Sequence, residues 1–124
     1  MKKPVVIKIG GAILDGYNQG NTSALTALLS VIANLKDQPV VIVHGGGCIV
    51  DEMLTQAGFT TEKKHGLRVT PKAQMPIISG ALAGNVNKAI VASAASLKLA
   101  AVGLSLTDGQ MVQCDLSPLA LGQV

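Results

Sequence analysis

Val40-Val41-Ile42-Val43-His44-Gly45-Gly46-Gly47 reads as a short strand running into a triple-glycine turn. Val5-Val6-Ile7-Lys8-Ile9-Gly10-Gly11 has the same shape near the start of the chain. Each segment precedes a helix-like pattern. Glycine at a strand-to-helix turn lets backbone N–H groups approach a ligand without interference from Cβ, and a helix N-terminus adds partial positive charge. Two such loops on neighbouring parallel strands would form a cradle for a phosphorylated or otherwise anionic small molecule. Lys8 interrupts an apolar strand end, an expensive place for a charge without a task or a partner. As a mobile point charge it suits a phosphate oxygen; the alternative is an edge lysine with its head in water.

Working outward, residues 22–35 carry a helical stripe of Leu25, Leu28, Leu29, Ile32 and Leu35, with Asn21 or Thr22 as the cap. Residues 15–21 read as a loop. Residues 40–43 are apolar on both faces, the pattern of a parallel strand buried on both sides. Ile49, Val50, Met53, Leu54 and Ala57 mark a second helix that Gly58 stops. Residues 59–64 and 67–70 flank His65-Gly66 as a short hairpin. Thr70-Pro71 reads as a cap and first-turn proline, although Pro76 should kink or delay the helix that follows. Gly84-Asn85 is a bend before the stripe Val86, Ala89, Ile90, Ala94 and Leu97. Residues 100–106 read as a returning strand, residues 111–114 as one more, and residues 116–124 as a tail. The alternation argues an open α/β sheet with its ligand site outside the carboxyl ends of the strands.

The 124 residues fit one domain able to bury about two-thirds of its unfolded surface. Tyr17 and Phe59 are the only aromatic residues, so the core is aliphatic and base stacking has little to work with. Net charge is +3 with no basic stripe beyond Lys63, Lys64, His65 and Arg68, which excludes nucleic acid as a partner. Cys48 and Cys114 lack CxxC or Cys/His spacing, implying free thiols, a reducing cytoplasmic compartment and no metal site. No apolar run reaches membrane-spanning length, so no membrane association is expected. Neither a GxxxxGK P-loop nor a GxGxxG fingerprint is present; Val50 stands where the last glycine would be. His44 reads as a hydrogen-bonded structural residue, and Asn85 and Asn87 as helix caps. Arg68, the sole arginine, is placed to hold a substrate carboxylate by a two-pronged hydrogen bond worth about 1.5–3 kcal/mol, or is simply solvated.

Residues 6–11, 41–47, Gly66-Leu67-Arg68-Val69-Thr70 and Gly80-Ala81-Leu82-Ala83-Gly84 together resemble N-acetylglutamate kinases of the amino-acid kinase family, in register from about residue 5 to residue 109. The resemblance implies a three-layer α/β/α sandwich with a mainly parallel open sheet. It also implies phosphorylation of the side-chain carboxylate of N-acetyl-L-glutamate with MgATP in arginine biosynthesis. By position, Lys8 would be the catalytic lysine at the transferring phosphoryl group, with Gly10 and Gly11 contacting it. Gly45 and Gly46 would hold the substrate by backbone amides, Arg68 would hold its α-carboxylate, and the hairpin would be a lid. Family members are considerably longer and pair through this domain. Residues 1–124 are therefore expected to be a single acetylglutamate-binding lobe and a homodimer. The ATP domain and the second catalytic lysine have no counterpart here, which leaves the isolated chain without turnover. The competing reading is a non-catalytic module that binds N-acetylglutamate or a related acylated amino acid.

Overall fold

The computed structural model describes residues 1–14, 16–35 and 37–122. Asp15, at the head of the expected loop, and the last two residues of the expected tail lie outside them. Strand β1 (Val5–Ile9) and strand β2 (Val40–His44) pair in parallel, Val5 opposite Val40 through to Ile9 opposite His44. Between them come a single helical turn α1 (Gly11–Leu14), a 3₁₀ turn (Tyr17–Gln19) and helix α2 (Ser23–Ala33). Helix α3 (Gly47–Gln56) follows β2 directly. Strands β3 (Glu62–Lys64) and β4 (Leu67–Val69) form the expected hairpin. Its two-residue turn has positive φ at both His65 and Gly66, the geometry that matches strand twist.

The helical path after the hairpin explains Pro76. Thr70 does not cap a helix: its amide bonds Leu121 O, and it bridges Gly122 in parallel. A 3₁₀ turn (Lys72–Gln74) leads into helix α4 (Met75–Ser79), which places Pro76 in the first turn, where its missing N–H costs nothing. Gly84 and Asn85 do not bend the chain. They lie in a π-helical segment (Gly80–Val86) that passes without a break into helix α5 (Asn87–Ser96).

The core gathers Ile9, Leu14, Leu25, Leu29, Ile49, Val86, Ile90 and Ala94, with Ile7 and Ile42 packed against it. Fully burying side chains such as Leu25 and Leu29 stabilises the fold by about 1.5–3 kcal/mol each. A second cluster joins Val50 and Leu54 of α3 to Ala81, Ile77, Ile78 and Phe59. Ile7 and Ile9 point to the core with Ile42, whereas Val6, Lys8, Val41 and Val43 point the other way and are exposed. The expectation of a strand buried on both faces is corrected: Val41 is 48% exposed and Val43 46%. The described residues thus form an α/β arrangement with a two-stranded parallel sheet covered on one face.

The strand expected over residues 100–106 is absent, as is the one over residues 111–114. The first of these stretches lies across a cleft of about 650 Å³ from β2, lined among others by Ile42, Ile90, Ala94 and Leu99. Without ladder partners the extended apolar segment is held by isolated hydrogen bonds and side-chain contacts, and Val102, Leu104 and Leu106 remain exposed.

Candidate functional site

The pairing of Ile9 with His44 decides the site, because the residues that follow leave the sheet side by side. Gly10–Gly11 and Gly45–Gly46–Gly47 therefore emerge from adjacent strand ends about 4.7–4.9 Å apart. Lys8 is exposed on the uncovered sheet face beside Val43, and a Cβ added to Gly10 would lie 3.9 Å from its Nζ. The lysine head thus folds over the first loop. That loop opens onto the single turn α1, and the helix that carries the Leu25 stripe begins at Ser23, directly after the expected cap position Thr22.

The second loop does open onto a helix. No side chain caps α3 at Gly46, so its N-terminal amides can serve an anion. The three glycines differ in their surroundings. A Cβ on Gly45 or Gly47 would meet nothing within 4 Å, leaving the backbone there open to solvent and ligand. A Cβ on Gly46 would come within 2.8 Å of Val86 Cγ2 and 3.2 Å of Leu82 Cδ2. Gly46 therefore fixes the loop against the π-helical segment, while Gly45 faces outward.

His44 is held at both nitrogens. Asn87 Nδ2, a donor only, lies 3.1 Å from Nε2, so Nδ1 carries the proton and donates to Gly45 O at 2.9 Å. Asn87 Nδ2 also donates to Leu104 O at 3.3 Å, and Lys88 Nζ donates to Asn87 Oδ1 and to Gly103 O. Asn87 is consequently a buried tie between the second glycine loop and residues 103–104, not a helix cap. Asn85 does not cap either; its amide donates to Met53 Sδ.

Arg68 lies on β4 with its side chain 16% exposed, and Nη1 meets Asp51 Oδ1 at 2.5 Å and Thr61 Oγ1 at 3.3 Å. Thr61 Oγ1 donates to Asp51 Oδ1 at 3.1 Å, and Lys63 Nζ donates to Oδ2 at 3.3 Å. Burial pushes the Asp51 carboxyl up, but Arg68, Thr61 and Lys63 together hold it below its ordinary value. Because Asp51 is one-third exposed, screening keeps the pair near the worth of a surface ion pair, about 0–1 kcal/mol. Asp51 escaped the sequence reading; its position one helical turn after Gly47, facing a lone arginine across the hairpin, was the available signal.

The six residues singled out in the sequence thus fall into two groups. Lys8, Gly10, Gly11, Gly45 and Gly46 come together at the strand ends. Arg68 stands on the hairpin, attached through Asp51 to the helix that begins at the second loop, about 6 Å along its axis. Among the described residues no group of three or more His, Cys, Asp or Glu is assembled for a metal ion, and no helix is long and apolar enough to cross a membrane.

Comparison with known proteins matches residues 3–123 to the amino acid kinase family. The chain is 70% identical over 122 residues to acetylglutamate kinase of Colwellia psychrerythraea, covering 98% of this chain and 45% of that protein. It is 47% identical to acetylglutamate kinase of Aeromonas hydrophila and 46% identical to that of Pasteurella multocida, covering 47% of each. The chain therefore spans about half the length of the curated relatives it matches. The crystal structure of smu.665 from Streptococcus mutans UA159 superposes with a TM-score of 0.61 at 31% identity, over 79% of this chain and 38% of that one.

Proposed function

Because the chain belongs to the amino acid kinase family, we propose that it is the N-acetyl-L-glutamate-binding lobe of an acetylglutamate kinase, acting in arginine biosynthesis. The observation that carries this reading is 70% identity to an acetylglutamate kinase across nearly the whole chain. The parallel register that sets both glycine loops at one end of the sheet supports it. Residues 1–124 act as one lobe, and the bare apolar face of Val6, Val41 and Val43 supports a further layer in the whole protein, completing a three-layer sandwich.

In the proposed reaction the side-chain carboxylate of N-acetylglutamate attacks the terminal phosphoryl group of MgATP. Such transfer rests on positioning and charge stabilisation more than on covalent chemistry from the protein. Lys8 neutralises the migrating phosphoryl group, and Gly10 and Gly11 offer backbone N–H groups to it. Gly45 and Gly46 hold the substrate, with Gly45 the more exposed of the two. Arg68 holds the α-carboxylate. The donor set fits the phosphoryl end of MgATP: one lysine and glycine amides, with no carboxylate cluster among the described residues to hold the magnesium ion. The nucleotide itself supplies the phosphoryl group and the metal its charge neutralisation. The whole protein works as a cytoplasmic homodimer, and Ala92 and Ala95, exposed on α5, offer small residues for close helix packing; Ala89 and Ala94 are used in the core.

Titration calorimetry of the 124-residue chain with N-acetyl-L-glutamate tests the proposal. Saturable binding that discriminates against glutamate lacking the acetyl group is expected. Equal response to both compounds would overturn the assignment of substrate.

A further inference from the structure

Asp51 stands between two parts of the molecule that the chain brings together only in three dimensions. It projects from α3, the helix that starts at the second glycine loop, and its two oxygens accept from Thr61 Oγ1, Arg68 Nη1 and Lys63 Nζ. Lys63 and Arg68 are directly opposite in the β3–β4 register. One carboxylate therefore ties both strands of the hairpin to the loop helix. The guanidinium presents five N–H donors in a planar fork, and the contacts above engage it through Nη1 alone. Two cations against one anion leave the cluster with a net single positive charge, so a second carboxylate is still attracted.

Resting on the reading of Arg68 as the substrate's carboxylate anchor, we propose that Asp51 is a positioning residue: it holds the Arg68 fork against α3, the helix that begins at the second glycine loop, so that its remaining edge meets a ligand carboxylate. Without that tie, Arg68 keeps its charge but loses its fixed orientation, and the hairpin loses its link to α3. The effect belongs to ligands that place a carboxylate at Arg68 and not to those that place a carboxamide there.

The experiment compares wild type, Asp51→Asn, Arg68→Ala and the double variant by calorimetry. The probes are N-acetyl-L-glutamate and its α-carboxamide. Asp51→Asn keeps size and shape, and should weaken N-acetyl-L-glutamate binding by up to about 5-fold, in keeping with a partly exposed ion pair. Affinity for the carboxamide should be unchanged, and adding Asp51→Asn to Arg68→Ala should cost nothing further. Equal losses for both ligands, or losses that add in the double variant, would overturn the proposal. Amide hydrogen exchange over residues 62–69 is read in parallel on the unliganded protein, where Asp51→Asn should speed exchange. If wild type binds neither probe, the substrate reading fails, and the exchange measurement alone judges the tie: unchanged protection overturns it.

Discussion

Gly46 faces Val86 so closely that a Cβ on the glycine would sit 2.8 Å from Val86 Cγ2. The second glycine loop is thus seated directly on the π-helical segment, and its neighbour Gly45 is left with open space. This separates two roles that a run of three glycines otherwise blends. Gly46→Ala should destabilise the fold by about 1–3 kcal/mol through overpacking, read as a lowered thermal midpoint. Gly45→Ala should unfold like wild type, and Gly45→Val should abolish N-acetylglutamate binding in calorimetry while keeping the fold. Normal binding by a folded Gly45→Val protein would assign this loop to packing alone.

Arg68→Ala should cost about 1.5–3 kcal/mol of N-acetylglutamate affinity, the range for a charge-assisted hydrogen bond. Calorimetry on the variant gives the number directly. Affinity equal to wild type would remove Arg68 from the site.

The Asp51 carboxyl titrates below its ordinary value of 3.8 in the folded chain. A depressed folded value means that the unfolded chain takes up the proton first as pH falls. The stabilisation is therefore complete above the ordinary carboxylate range and is lost as pH drops through the folded value. Thermal midpoints measured from pH 6 to pH 3 should fall more steeply for wild type than for Asp51→Asn. Parallel curves would show that Asp51 gains nothing from Arg68, Thr61 and Lys63.

Asn87→Ala should leave Leu104 O and His44 Nε2 without their amide donor. Losing a buried donor costs about 1–3 kcal/mol. Chemical denaturation should show that loss, and amide exchange around residues 103–106 should quicken. Wild-type protection there would mean that the remaining bonds, Lys88 Nζ to Gly103 O, Ser105 N to Asp108 Oδ2 and Val112 N to Leu106 O, hold the segment without Asn87.

The 124-residue chain by itself should not turn over ATP. In-line transfer needs cationic groups on both sides of the migrating phosphoryl group, and this lobe brings Lys8 on one side. Removing one electrostatic stabiliser from a complete site costs about 10²–10³ in rate. The assay is acetylglutamate-dependent ADP release from purified protein, with Lys8→Ala as the control for contaminating kinase. Activity that survives purification and vanishes in the control would make the short chain a complete enzyme.

Local patterns were enough to place most elements. The stripe of Leu25, Leu28, Leu29 and Ile32 made α2 legible, and the paired β-branched runs ending in glycine made β1 and β2 legible, because period and turn chemistry are properties of neighbours in sequence. The hairpin turn at His65-Gly66 was legible for the same reason. Lys8, the glycines and Arg68 stood out as residue types that strand ends and hairpins do not otherwise need. What only the tertiary structure decided was who meets whom. A glycine in a run of three looks like its neighbours until Val86 arrives beside one of them. Asn87 reads as a cap until His44 and Leu104 are brought to its amide. Asp51 carries no motif, and its meaning comes wholly from Arg68 and Lys63 across the hairpin. Residues 100–106 have the composition of a strand, but a strand exists only through the ladder its partner supplies, and across the cleft from β2 that ladder is not formed. Sequence reports preferences of short segments, whereas pairing, close approach and charge neutralisation depend on distances between residues far apart in the chain.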